Sequence, residues 1–155
     1  MPQLLGAGDV TPHFALPASN GRTATLDEYA GRQLVIFFYP KDDTEACTKE
    51  AVAFSEALPT FSRRKVAVLG VSRDDIEAHR KFIAKYDLKI RLACDEDGAA
   101  CNAFGVWQEK QLYGRKFMGI VRSTFLIGTD GVIRQAWRNV RVSGHIDTVL
   151  EATRA

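Results

Sequence analysis

Leu34-Val35-Ile36-Phe37-Phe38-Tyr39-Pro40-Lys41-Asp42-Asp43-Thr44-Glu45-Ala46-Cys47 is the stretch on which the reading of the fold turns. Its first six residues form an unbroken apolar run ended by Pro40, the pattern of a strand buried on both faces. After the polar residues 41–46, the segment 47–58 repeats apolar residues at Ala51, Phe54 and Leu58. That spacing is helical, and Pro59 is expected to end or kink the helix. Val66-Ala67-Val68-Leu69-Gly70-Val71 is a second apolar run. Strand, helix and strand make a βαβ unit, which implies parallel strands joined by a right-handed crossover.

Working outward, Asp74-Asp75 put negative charge in the first turn of a helix running to about residue 88, with Ile76, Ile83 and Tyr86 on one side. A short strand at 91–94, the turn Asp95-Glu96-Asp97-Gly98 and a short helix to Phe104 follow. Thr124-Phe125-Leu126-Ile127 and residues 132–137 flank Gly128-Thr129-Asp130-Gly131, an antiparallel hairpin signal, and residues 145–154 form a closing helix. The whole is α/β: a βαβ half and a ββα half around a central mixed sheet, which resembles the thioredoxin-like fold. Asn20-Gly21, between Phe14-Ala15-Leu16 and Thr23-Ala24-Thr25, predicts an N-terminal β-hairpin extension. Residues 109–118 are expected to be a loop with exposed aromatics, rimming a site or forming a weak dimer contact.

The chain has 155 residues, with 21 Lys+Arg against 19 Asp+Glu, which suits one domain over 1–155. A net charge of +2, with basic residues dispersed, argues against nucleic acid. The longest apolar run is too short to span a bilayer. Met1-Pro2-Gln3-Leu4-Leu5 lacks a charged n-region and a long h-region, so no signal peptide is expected. Three cysteines do not suit a disulfide-stapled secreted fold and point to a reducing, cytoplasmic setting. No C-x-x-C or H-x-x-x-H clamp exists among Cys47, Cys94, Cys101, His13, His79 and His145, so neither a metal nor another cofactor is expected. The histidines and Trp107 and Trp137 read as packing residues.

In open α/β sheets the reactive site lies beyond the carboxyl ends of the parallel strands. Cys47 falls there, at the start of a helix, where free N–H groups and the positive end of the helix dipole favour thiolate over thiol. Burial as an inert core cysteine is the competing reading. Residue 44 is Thr and residue 50 is Glu, so no second thiol stands one helical turn away and C-x-x-C exchange is excluded. A lone thiolate beside a hydroxyl suits attack on a small oxidant. Thr44 then either holds the thiolate or the incoming oxygen, or merely caps the helix.

Residues 38–50, with Pro40, Thr44 and Cys47 in the pattern P-x-x-x-T-x-x-C, resemble the active-site loop of the peroxiredoxins, most closely the bacterioferritin comigratory protein (Q-type) subfamily. Gly8-Asp9, Gly105-Val106-Trp107 and Arg122-Ser123-Thr124-Phe125 extend the resemblance through nearly the whole chain. It implies a peroxidatic role for Cys47, with Pro40, Thr44 and Arg122 completing the pocket and Glu50 orienting Arg122. It further implies a thiol-dependent peroxidase for hydrogen peroxide and organic hydroperoxides, in which Cys47 thiolate becomes a sulfenic acid.

Members of this subfamily often carry a resolving cysteine where this chain has Val52 or Ile83, so the usual intramolecular routes are absent. Cys94, in an apolar strand, and Cys101, expected to be the more exposed, are the remaining resolving candidates. The other route is reduction by an external thiol: thioredoxin, glutaredoxin or a low-molecular-weight thiol. The Pro-Gly common before the cysteine is Glu45-Ala46 here, an acid that either opposes the thiolate or sits in water. A peroxide sensor or holdase-like binding protein, oxidised at Cys47 without efficient turnover, is the alternative from another class. A disulfide reductase is a weaker third. A monomer or weak homodimer is expected.

Overall fold

The first apolar run is strand β3 (Gln33–Phe38), at the centre of a five-stranded sheet of order β5-β4-β3-β8-β9. This computed structural model describes residues 4–154, so the start of the N-terminal segment read above lies outside them. Strands β1 (Ala15–Pro17) and β2 (Thr23–Thr25) form the expected hairpin extension ahead of the sheet. β3 pairs parallel with β4 (Val66–Ser72), which pairs parallel with β5 (Arg91–Cys94). β8 (Ser123–Ile127) runs antiparallel to β3, and β9 (Ile133–Trp137) antiparallel to β8. The mixed sheet of a thioredoxin-like fold is thus present. The outer edge at β5 is covered by the N-terminal segment, where Ser19 N–H donates to Leu92 O at 2.8 Å.

Alternation along β3 builds two cores. Leu34, Ile36 and Phe38 face a layer containing the N-terminal hairpin, helix α3 (Ala99–Ala103), Phe104 and Phe125. Val35, Phe37 and Tyr39 face helices α1 (Glu45–Arg63), α2 (Ile76–Tyr86) and α4 (His145–Ala152) through Ala51, Phe54, Phe61, Phe82 and Val149. Gly70 on β4 is required by that second core: a Cβ there would meet Phe37 Cζ and Leu92 Cδ2 at 2.7 Å. Among the described residues no helix is long and apolar enough to cross a membrane.

Two expectations are corrected. Of the two outcomes expected at Pro59, an end to the helix is overturned, because α1 continues to Arg63. Phe54 below and Phe61 above are both fully buried, with ring centroids 6.1 Å apart. Anchoring on both sides outweighs the roughly 3 kcal/mol that an interior proline costs a helix. Residues 109–118 are not a loop: β6 (Trp107–Leu112) and β7 (Arg115–Ile120) form a separate hairpin. Tyr113 and Gly114, at φ 51° and 76°, supply the two left-handed residues that a tight hairpin turn requires.

Candidate active site

The carboxyl end of β3 delivers the chain into the loop of residues 40–44, and Thr44 occupies the N-cap of α1. The first helical bond is Thr48 N–H to Thr44 O at 2.8 Å, so the N–H groups of residues 45–47 precede the hydrogen-bonded ladder. Cys47 sits in this first turn, buried on the α1 side of the sheet. The Thr44 hydroxyl makes no bond to the helix; it donates to Lys41 O at 2.9 Å. Its proton is thereby directed away from Cys47, and its oxygen lone pairs stay available to an O–H or S–H donor. Glu45 points into water and pairs with Lys49 at 3.3 Å, so of its two readings the solvated one holds.

Pairing of Phe38 with Ser123 places Arg122 beside the carboxyl end of β3, although it is 75 residues from Cys47 in sequence. Its backbone is fastened on both sides: Val121 N–H donates to Val106 O and Val140 N–H to Arg122 O. The side chain is mostly buried, Nη2 lying 3.3 Å from Cys47 Sγ and Nη1 2.7 Å from Glu50 Oε1. Glu50 itself is fully buried one helical turn beyond Cys47, and burial pushes its carboxyl up to about 7 against the pull of Arg122. Cys47, Arg122 and Glu50 therefore form one contact cluster. Pro40 and Thr44 bound the loop beside it. Such an arrangement can hold negative charge on the Cys47 sulfur and take over that charge as it passes to an atom beside it.

The groups that hold this loop were not singled out from the sequence. Asp42 is buried, accepting from Tyr39 Oη at 2.6 Å, while its N–H donates to Asp74 Oδ2 at 2.9 Å. Asp42 Oδ2 lies 2.7 Å from Nδ1 of His79 on α2, whose Nε2 is 2.8 Å from Ala93 O. Both ring nitrogens face acceptors, an arrangement that favours the doubly protonated ring. Burial alone would lower its pKa; the bond and charge of Asp42 reverse that and raise it above 6.5. Asp43, in the left-handed region at φ 60°, accepts from Lys85 Nζ and Tyr86 Oη of the same helix at 2.8 and 2.6 Å. Adjacent acids in a polar loop were the available signal, but Asp74, His79, Lys85 and Tyr86 lie more than thirty residues away. Asp42, Asp74 and His79 also bring three metal-type ligand atoms within 4.8 Å, the one such group among the described residues. Asp42 and His79 are bonded to each other, and Asp74 accepts from Ser72 Oγ at 2.6 Å, which leaves this trio a structural network.

The two other cysteines are not brought to Cys47. Cys101, expected to be exposed, is fully buried in the opposite core, its N–H donating to Asp95 Oδ2 at 2.7 Å. Alanines and Asn102 around it hid the packing of α3 beneath Phe104. Burial and Asp95 raise its thiol pKa far above the ordinary cysteine value. Cys94 is buried at the end of the edge strand β5, and burial pushes its thiol up to about 11.

The sequence profile of the AhpC/TSA family matches residues 7–136. Peroxiredoxin Bcp of Xanthomonas campestris is 47% identical over 144 residues, covering 92% of this chain and 90% of that protein. The crystal structure of a PrxQ variant from Xylella fastidiosa superposes with a TM-score of 0.91 at 39% identity, covering 97% of this chain and 96% of that one. A structure of the X. campestris bacterioferritin comigratory protein, in work on its alkyl peroxide reduction activity, gives 0.86 at 45% identity over 91% of this chain and 90% of that one.

Proposed function

The chain belongs to the AhpC/TSA family and is a peroxiredoxin, a thiol-dependent peroxidase, and on that premise we propose that Cys47 is its peroxidatic residue, served by Thr44, Arg122 and Pro40 and supported by Glu50. The observation that carries the proposal is the 3.3 Å contact from Arg122 Nη2 to Cys47 Sγ within the first turn of α1. The Cys47 thiolate attacks one oxygen of ROOH, an S–O bond forms, the O–O bond breaks, and negative charge gathers on the departing oxygen. A guanidinium beside the sulfur is also beside that oxygen, so Arg122 stabilises charge before and during cleavage. Thr44, with its proton engaged by Lys41 O, orients the incoming peroxide by accepting its O–H. Pro40 offers no N–H to compete for the sulfur. Hydrogen peroxide and organic hydroperoxides are the substrates.

Recycling falls to an external thiol: thioredoxin, glutaredoxin or a low-molecular-weight thiol. Two facts support this over a disulfide with Cys101 or Cys94: Cys101 is packed in the core on the other face of the sheet, and both thiols are held protonated by burial. All three cysteines are unpaired, which suits a reducing cytoplasm. The chain acts as one domain, as a monomer or a weak homodimer, with Leu112, Tyr113, Phe117 and Met118 the exposed apolar residues of the β6–β7 hairpin open to such contact. Replacing the nucleophile tests the assignment: Cys47→Ser abolishes NADPH-coupled peroxide consumption with a thioredoxin system while the fold is kept. Undiminished turnover in that variant would remove Cys47 from the reaction.

A further inference from the structure

Glu50 is placed to do more than orient Arg122. Its Oε1 accepts Nη1 of Arg122, but its Oε2 is buried without any hydrogen-bond partner. The other terminal nitrogen of Arg122 is spent on Cys47 Sγ. One guanidinium thus stands between two acids that are neighbours on one face of α1, at i and i+3, where Cβ atoms are about 5–6 Å apart. With both ionised, a buried cluster would hold two negative charges against one positive, and one carboxylate oxygen would be stripped of water with no donor in its place.

No group packed around Arg122 donates to that oxygen. His145 on α4 bonds Thr124 Oγ1, and burial together with Arg122 pushes it down to about 4, so it is neutral at pH 7. Lys110 on β6 is near enough for its charge to interact with Cys47 and Arg122, but its ammonium is hydrogen-bonded to Ile120 O at 3.0 Å, not to Glu50. Arg122 is bonded to both acids, so its single charge serves one anion at a time, on sulfur or on carboxylate.

We propose that Glu50 is the proton store of the peroxidase cycle: while Cys47 is a thiolate, Oε2 holds a proton, and that proton goes to the oxygen released when the peroxide is cleaved. The step rests on Cys47 being the attacking sulfur, and it balances. The sulfur electron pair forms the S–O bond, the O–O pair leaves on RO, Cys47 keeps the peroxide hydroxyl as its sulfenic acid, and the Glu50 proton turns RO⁻ into ROH. Sulfur is oxidised by two electrons and the peroxide reduced by two. Charge moves from sulfur to carboxylate, and Arg122 is already bonded to both. That burial raises the Glu50 carboxyl to about 7 agrees with a proton held near neutral pH and given up when a stronger base appears beside it.

Infrared difference spectroscopy on the full chain, with sulfenic acid at Cys47 trapped in parallel, tests this. The reduced protein at neutral pH should show the carbonyl band of a protonated carboxyl, absent in Glu50→Gln, and one equivalent of hydrogen peroxide should weaken it as the sulfenic acid forms. A sulfenic acid at Cys47 with no change in that band would overturn the proton store and leave the nucleophile standing. No sulfenic acid at Cys47 would overturn the reading beneath it. Kinetics separate storage from positioning, because the side-chain amide oxygen of the Glu50→Gln variant still accepts from Arg122 while the amide carries no transferable proton. Glu50→Gln should slow oxidation on the order of 100-fold and regain rate with added imidazolium buffer. A wild-type rate, indifferent to buffer acid, would contradict the proposal.

Discussion

At the scale of the residue, the proposed reaction turns on Arg122, which touches both the sulfur and its buried neighbour. Arg122→Ala should slow sulfenic acid formation by about 100-fold or more, the usual loss when a donor to developing oxyanion charge is removed. Stopped-flow oxidation with hydrogen peroxide measures it, and an unchanged rate would take Arg122 out of the site. His145 offers an independent check on how the pocket is packed. Its pKa falls from 6.5 to about 4 through burial first and the Arg122 charge second. The neutral ring is the folded form, so its contribution to stability is complete above pH 6.5 and disappears as pH falls from there through about 4. Wild-type protein should lose on the order of 2–3 kcal/mol from this group between about pH 7 and about pH 4.5. Urea midpoints at the two pH values should therefore move less in His145→Gln than in the wild type. The placement of Thr44 and Cys47 at a helix start was legible in the sequence because loop, cysteine and helix are contiguous. Arg122 was legible only through the family resemblance, since what brings it to Cys47 is the pairing of β8 with β3.

At the scale of the element, α1 explains why the cysteine stays where it is. Its first turn carries the site, and its last turns are pinned by Phe61 across Pro59. Pro59 is solvent-exposed, so Pro59→Ala removes little packing and restores a backbone donor. That substitution should raise stability by about 1–2 kcal/mol, the helix gain of roughly 3 kcal/mol being partly offset by a more flexible unfolded chain. A lower melting temperature would mean that the proline itself stabilises the helix there. The central strands were legible because their apolar runs are unbroken. The β6–β7 hairpin was not: Glu109, Lys110, Gln111, Arg115 and Lys116 leave it no continuous apolar face, and only Tyr113-Gly114 marked the turn. α2 was expected as a helix, but not its hold on the loop before Cys47. His79, Lys85 and Tyr86 meet Asp42 and Asp43 only after the βαβ crossover has closed.

At the scale of the whole molecule, the sheet separates the chemistry from the remaining sulfur. Cys47 belongs to the core beneath α1 and Cys101 to the core on the other face, while Cys94 ends the edge strand beyond β4. A disulfide needs Cα atoms within roughly 7 Å, which for Cys101 would require taking the two layers apart. Val52 and Ile83 deny the chain the shorter routes along α1 and α2. The central claim is then that Cys47 alone is oxidised and that reduction comes from outside. A thiol count on denatured protein before and after one equivalent of hydrogen peroxide, with mass spectrometry of the trapped product, tests it most directly. The predicted result is the loss of one thiol and a sulfenic acid at Cys47. Loss of two thiols within a single chain, with Cys47 joined to Cys94 or Cys101, would contradict it.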